Sequence, residues 1–175
     1  MEQNQLNKII NLLITEDLKL KPFIKFISAC AIFICFTVKA TENKFDYMSF
    51  AKDYFAAFNA TQMPNATKKD LEHYLSFMTN DVAHQHLPYD KTDTRKSGGK
   101  EEIRKGMTYW LATSKEYIPE LISINVEHNV IVIQYKSTLK VFDKDSGKDR
   151  IINRKRIEVL ELDNGKISII RKYGK

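Results

Sequence analysis

The feature that most limits the possible folds is a change in the spacing of apolar residues near residue 120 of the 175-residue chain. Before that point apolar residues recur every three or four positions, as on one face of a helix, and after it they alternate with polar residues, as in a strand. Helices followed by a run of neighbouring strands predict an α+β fold with a mainly antiparallel sheet. The predicted long strands cover residues 121–127, 130–142, 150–162 and 166–173.

Three helices are predicted ahead of these strands. The first covers residues 48–59, the second begins at Lys68 after the capping residue Thr67, and the third covers residues 100–115. A short strand is predicted over 82–87, between the second and third helices. We find no internal repeat and no second folded domain.

The charge of the chain argues against nucleic-acid binding. The net charge is +6, but basic and acidic residues interleave along the sequence instead of forming one basic stretch. The densest group of basic residues, in 150–156, lies on a predicted strand that divides it between two faces. We therefore expect a solvated surface and no nucleic-acid partner.

The N-terminal segment has the pattern of a targeting sequence. Residues 26–38, FISACAIFICFTV, carry no charge, and lysines precede them. A positive flank, a short apolar core and a small-residue exit predict a secretory signal, with cleavage after Ala40 and a folded domain over 41–175. The protein would then be exported, to the periplasm or the exterior. The alternatives are an uncleaved membrane anchor through residues 23–39, which would be the protein's one membrane contact, and a buried helix.

Two histidines, His84 and His86, are the leading candidates for proton transfer. On a strand, residues two apart point to the same side, so both imidazoles share a face. Histidine titrates near neutral pH, which suits it to general acid–base chemistry. A shared metal ion is the alternative, with Asp81 or Glu158 as a third ligand. Because a catalytic zinc ion usually has three protein ligands, we expect no metal and no cofactor.

The strand predicted over 150–162 places Glu158 and Arg156 on one face, together with Leu160. If Leu160 faces the core, Glu158 points towards a pocket. A neutral Glu158 would donate a hydrogen bond to a developing oxyanion. The alternative is a structural ion pair of Glu158 with Arg154 or Arg156.

Four stretches, in this order, carry a resemblance to a known superfamily: DYFAAFNATQ (53–62), LSFMTNDVAHQHLP (75–88), GGKEEIRKGMTYW (98–110) and IEVLELDNGKISIIRKY (157–173). The chain resembles the nuclear transport factor 2-like superfamily, and within it the SnoaL-like polyketide cyclase and ketosteroid isomerase branch. The resemblance implies a cone-shaped fold, in which three N-terminal helices pack on a curved, mainly antiparallel sheet around an apolar pocket.

The resemblance also assigns roles to residues. Tyr54 matches an oxyanion-hole tyrosine, Glu158 matches the acid that completes the hole, and His86 stands where ketosteroid isomerases have a catalytic aspartate. That departure argues against steroid isomerisation itself. Tyr54 is alternatively a core tyrosine, and His86 a rim residue bonded to backbone. The residues expected to contact a ligand are His84, Trp110 and Arg156, of which Trp110 is alternatively a core residue.

The expected function is binding of a small, partly apolar molecule, with cofactor-free isomerase, cyclase or hydratase chemistry as its catalytic form. The competing expectation is a non-catalytic module for ligand binding or protein interaction. A homodimer is expected through the sheet face that carries Ile157 and Val159. Since folds of this kind host many functions, the step from fold to activity is an analogy.

Overall fold

A computed structural model describes residues 45–89, 94–144 and 146–174 of the chain. The predicted targeting segment and the alternative anchor lie outside these residues. Among the described helices, none has the length and apolar character that crossing a membrane would require.

Three helices form where the spacing of apolar residues predicts them. Helix α1 is Tyr47–Ala60, α2 is Lys68–Leu75 and α3 is Gly99–Trp110. Helix α2 begins with a capping box, in which Thr67 and Asp70 satisfy each other's backbone N–H groups. Gly98 precedes α3 with a positive φ of 83°, a conformation that favours glycine.

Five strands form one sheet in the order β1-β5-β4-β3-β2. Strand β1 runs parallel to β5, and the other three pairs are antiparallel. Asn164 and Gly165, both with positive φ, form the tight turn between the last two strands. The order of elements confirms the predicted α+β fold. The strands are β1, Met78–Leu87; β2, Ser114–Glu127; β3, Val130–Asp143; β4, Lys148–Asp163; and β5, Lys166–Tyr173.

The core lies between the three helices and one face of the sheet, which we call the inner face. This face carries Ile131, Ile133, Leu160 and Ile170, all fully buried. Strand pairing explains why they meet, since Leu160 stands opposite both Ile131 on β3 and Ile170 on β5. The opposite side is the outer face. Burial of this apolar surface is the main contribution to folding stability.

Several details of the predicted elements are wrong. The third helix ends at Trp110, and strand β2 already begins at Ser114 and includes Pro119, which was expected to close a connection. Proline is tolerated there because β2 is an edge strand, where a missing N–H costs no ladder hydrogen bond. Trp110 is 67% exposed and is therefore not a core residue, although it lies at the spacing of the α3 apolar stripe.

The two glycines of α3 provide a matched test of how closely the helix packs. A Cβ at Gly99 would overlap the backbone carbonyl of Val82, whereas one at Gly106 would meet no atom within 4 Å. We expect Gly99→Ala to destabilise the protein by about 1–3 kcal/mol, the usual effect of overpacking. Gly106→Ala should stabilise it by about 0.5–1 kcal/mol through helix propensity. Urea unfolding measures both, and equal effects would contradict the close approach of α3 to β1.

Candidate functional site

The buried carboxylate of Glu158 accepts two hydrogen bonds and forms one ion pair. The three partner residues come from three other elements. The hydroxyl of Tyr54 donates to one of its oxygens at 2.9 Å, and the hydroxyl of Tyr135 donates to the other at 2.8 Å. The ammonium group of Lys172 lies 3.2 Å from the second oxygen. Glu158 itself is 1% exposed. We call these four residues the Glu158 cluster.

Strand register brings the cluster together. Glu158 on β4 stands opposite Lys172 on β5 and opposite Ile133 on β3, so all three point to the inner face. Tyr135 follows Ile133 by two residues and shares that face. Tyr54 reaches the cluster from the buried side of α1. The cluster therefore joins a helix to three adjacent strands.

Aromatic side chains enclose the cluster. The hydroxyl of Tyr74 on α2 lies 3.3 Å from the hydroxyl of Tyr54, and Tyr74 is 1% exposed. The ammonium group of Lys172 lies 4.6 Å from the centre of the Phe58 ring, a cation–π distance. The phenols and the ammonium group are thus held in fixed positions away from bulk water.

The environment keeps the donors of the cluster protonated. Burial, with the charge of Glu158, raises the pKa of Tyr54 and of Tyr135 well above the ordinary value for tyrosine. Burial alone would lower the pKa of Lys172, but the charge of Glu158 and contributions from Tyr74 outweigh it and raise that pKa. Hydroxyl and ammonium donors facing two acceptor oxygens are the geometry of a charged carboxylate.

The two histidines lie on the inner face, as the alternation predicts, but in different surroundings. His84 stands beside Ile170 and His86 beside Lys172 in the β1–β5 pairing, with 4.6 Å between the ring centres. The Nε2 atom of His84 is buried, with no hydrogen-bond partner in the described part of the chain. Burial, Lys172 and His86 lower the pKa of His84 to about 2. His84 is therefore neutral at physiological pH, whereas the ring of His86 is exposed.

The expected ion pair of Glu158 with Arg154 or Arg156 is wrong. Lys172 is the cation beside Glu158, and Arg156 donates instead to the backbone carbonyl of Gly174 at 2.9 Å. Arg154 and Arg156 share the inner face of β4 and are half-buried. Burial, together with the neighbouring charge of Arg156, lowers the pKa of Arg154.

The remaining predicted residues lie away from the cluster or in other interactions. Trp110 is exposed at the end of α3, where its ring lies 4.9 Å from that of Tyr109. Asp81, considered as a third metal ligand, forms an ion pair with Arg95 at 2.9 Å. Within residues 45–89, 94–144 and 146–174, no three His, Cys, Asp or Glu side chains lie close enough together to hold a metal ion.

Comparisons with known proteins agree on the fold. No protein-family model matches the sequence, and a search of curated proteins finds no match. An NTF2-like protein from Anabaena variabilis is 14% identical, with a TM-score of 0.55 over 75% of this chain and 93% of that protein. An LEH-like epoxide hydrolase from M. tuberculosis is 16% identical, with a TM-score of 0.52 over 73% and 84% of the two chains. A protein described as a SnoaL-like polyketide cyclase, from Mesorhizobium loti, is 17% identical, with a TM-score of 0.50 over 74% and 99%.

These likenesses establish that the chain has the nuclear transport factor 2-like fold, with helices packed on a mainly antiparallel sheet, as predicted. Sequence identity at this level shows the fold and leaves the activity open, because one fold hosts many unrelated functions. The catalytic and ligand-binding roles assigned to single residues remain predictions.

Three members of this site escaped the sequence analysis, namely Lys172, Tyr135 and Tyr74. One signal for Lys172 is present in the sequence, since it shares the inner face of its strand with Ile170 and so places a charge at a core position. Nothing comparable marks Tyr135 or Tyr74, which look like ordinary core aromatics until the fold brings their hydroxyls to polar partners.

Two Glu–Lys pairs with the same 3.2 Å separation test the importance of the buried one. Lys172–Glu158 is buried, whereas Lys136–Glu120 lies on the outer face with both side chains more than half exposed. Glu158→Gln leaves a buried ammonium group without its counter-charge, and we expect a loss of about 3–5 kcal/mol of unfolding free energy. Glu120→Gln should cost less than about 1 kcal/mol. Chemical denaturation compares them, and similar losses would contradict the assigned importance of the cluster.

The buried imidazole of His84 predicts a pH dependence of stability. Because the folded-state pKa is lowered to about 2, the folded protein disfavours the imidazolium form that the unfolded chain adopts below about pH 6.5. The unfolding free energy that neutral His84 contributes is fully present above about pH 6.5. It is lost as the pH falls below that value, at about 1.4 kcal/mol per pH unit. His84→Gln should reduce the slope of unfolding free energy between about pH 6 and pH 4. A slope in His84→Gln identical to that of the unmodified protein would contradict the burial of the His84 imidazole.

Proposed function

We propose that the protein binds a small, partly apolar molecule against the inner face of its sheet. The site lies in the N-terminal half of β4, next to the Glu158 cluster. The observation that carries this proposal is a gradient of exposure along the inner face of β4. Leu160 is fully buried and Glu158 is 1% exposed, while Arg156, Arg154 and Ile152 are half-buried. The cluster then forms the closed floor of the site, and the half-buried residues line its open end.

Apolar and polar groups lie side by side at this open end, as they do in most ligand sites. Leu139 on β3 stands opposite Ile152, and Tyr117 on β2 stands opposite Leu139. The hydroxyl of Tyr117 donates to the side chain of Asn59 at 3.0 Å, which ties the last turn of α1 to the sheet edge. This combination suits a molecule with an apolar body and at least one polar group.

Cofactor-free acid–base catalysis is the second candidate function. Exposed His86, next to a neutral His84, is the general base in this version, while Tyr54 and Glu158 act as positioning residues because their polar atoms already bond each other. Deuterium incorporation next to the carbonyl of cyclohexanone, followed by NMR in D₂O, tests for enolisation. A rate that falls in His86→Gln supports this candidate, and a rate equal to that of buffer argues against it.

Adjacent isoleucines on opposite faces of β4 test the binding proposal. N-phenyl-1-naphthylamine, a neutral apolar dye, should bind the purified full chain with a rise in fluorescence and saturate at one dye per chain. Ile152→Asn removes apolar contact from the inner face and should weaken binding about tenfold, the effect of losing the contact of one aliphatic side chain with the dye. Ile151→Asn, at a 65% exposed outer-face position, should leave the affinity unchanged. Equal affinities in all three proteins would contradict the proposed location.

Homodimer formation through the outer face is part of the same proposal. Val132 on β3 stands opposite Val159 on β4, and the neighbouring Ile157 is also half-buried, which gives this face an apolar centre. A dimer should appear in light scattering at the mass of two chains, and Ile157→Lys should reduce it to one. Met48→Lys, on an exposed part of α1, adds the same charge and should not. A single-chain mass for the unmodified protein would contradict the dimer.

A further inference from the structure

Two arginines at the open end of the inner face lack the carboxylate partners that half-buried guanidinium groups usually have. Arg154 and Arg156 are two residues apart on β4 and point to the same face, opposite Ser137 and Tyr135. Within the described residues neither forms an ion pair with an acid, and Arg156 donates a hydrogen bond to the backbone carbonyl of Gly174. Partly buried charges of like sign repel each other and lose hydration.

The acid nearest along this face of β4 is already occupied. Both oxygens of Glu158 accept from the tyrosine hydroxyls, and Lys172 balances its charge. The Glu158–Lys172 pair is therefore neutral as a unit, which leaves the charges of Arg154 and Arg156 uncompensated at the open end. The neighbouring polar groups on this face are the hydroxyls of Tyr117 and Ser137, which form hydrogen bonds and supply no negative charge.

We propose that the ligand is an organic anion whose carboxylate or sulfonate group binds between Arg154 and Arg156, while its apolar body covers Leu139 and Ile152. This inference rests on the proposed binding function and adds the chemical class of the ligand. An anion here gives each guanidinium group charge-assisted hydrogen bonds and removes the repulsion between them. Arg154 is then a specificity-determining residue.

Two dyes that differ by one sulfonate group test the charge of the ligand. 8-Anilinonaphthalene-1-sulfonate is the anionic counterpart of neutral N-phenyl-1-naphthylamine, so the ratio of their affinities isolates the contribution of the anion. Fluorescence titration of the unmodified full chain should give at least about tenfold tighter binding of the sulfonate, the effect expected of charge-assisted hydrogen bonds. Arg154→Gln and Arg156→Gln should each remove most of that preference, measured as the ratio of the two affinities in the same variant.

A matched control separates the site from the overall charge. Lys155→Gln changes the net charge by the same amount but lies between the two arginines on the outer face, where it is exposed, so the preference should persist. Circular dichroism of each variant confirms that the fold is retained. Equal affinities of the two dyes for the unmodified protein, or an equal loss in Lys155→Gln, overturn the anion proposal while leaving the binding function in place. Failure of both dyes to bind the unmodified protein overturns the binding function itself.

Discussion

The buried ion pair between Glu158 and Lys172 is the interaction on which the arrangement of the inner face depends. Taking both charges out of water costs several kcal/mol each, so the pair is tolerable only where hydrogen bonds complete it. The hydroxyls of Tyr54 and Tyr135 supply those bonds. Because the donors come from α1, β3 and β5, their convergence on β4 orients the first helix against the sheet. Apolar packing alone allows small changes in that orientation, whereas a hydrogen-bonded charge pair is satisfied in one geometry.

The same cluster influences what the site is able to do. Both oxygens of Glu158 are engaged by Tyr54, Tyr135 and Lys172, so its predicted role as a donor to an oxyanion requires one of these contacts to change. Tyr54 likewise directs its hydroxyl to Glu158, and Tyr74 completes its surroundings. These contacts favour a structural role for the cluster, as the support of a bound ligand. They do not favour a catalytic role. The polar groups that remain available to a ligand are the guanidinium groups of Arg154 and Arg156, which are half-buried at the open end.

Part of the site is predictable from the sequence and part of it is not, for physical reasons that differ between residues. Tyr54 and Glu158 were singled out from the resemblance and from strand alternation, and they prove to be 2.9 Å apart. Lys172 was missed because its partner lies on another strand, and strand register becomes visible only in the folded sheet. Trp110 was placed in the core or at the ligand because helical spacing suits either, but α3 ends at that residue and leaves its ring in solvent.

By itself, the sequence determined the class of fold, since the apolar spacing of helices and strands depends only on local geometry. It also determined that His84 and His86 share a face, because alternation along a strand needs no knowledge of the neighbours. The tertiary structure decided which histidine is buried, which cation balances Glu158 and which arginines remain without an acid. Those outcomes depend on burial and on distances between residues far apart in the chain, such as the 104 positions that separate Tyr54 from Glu158.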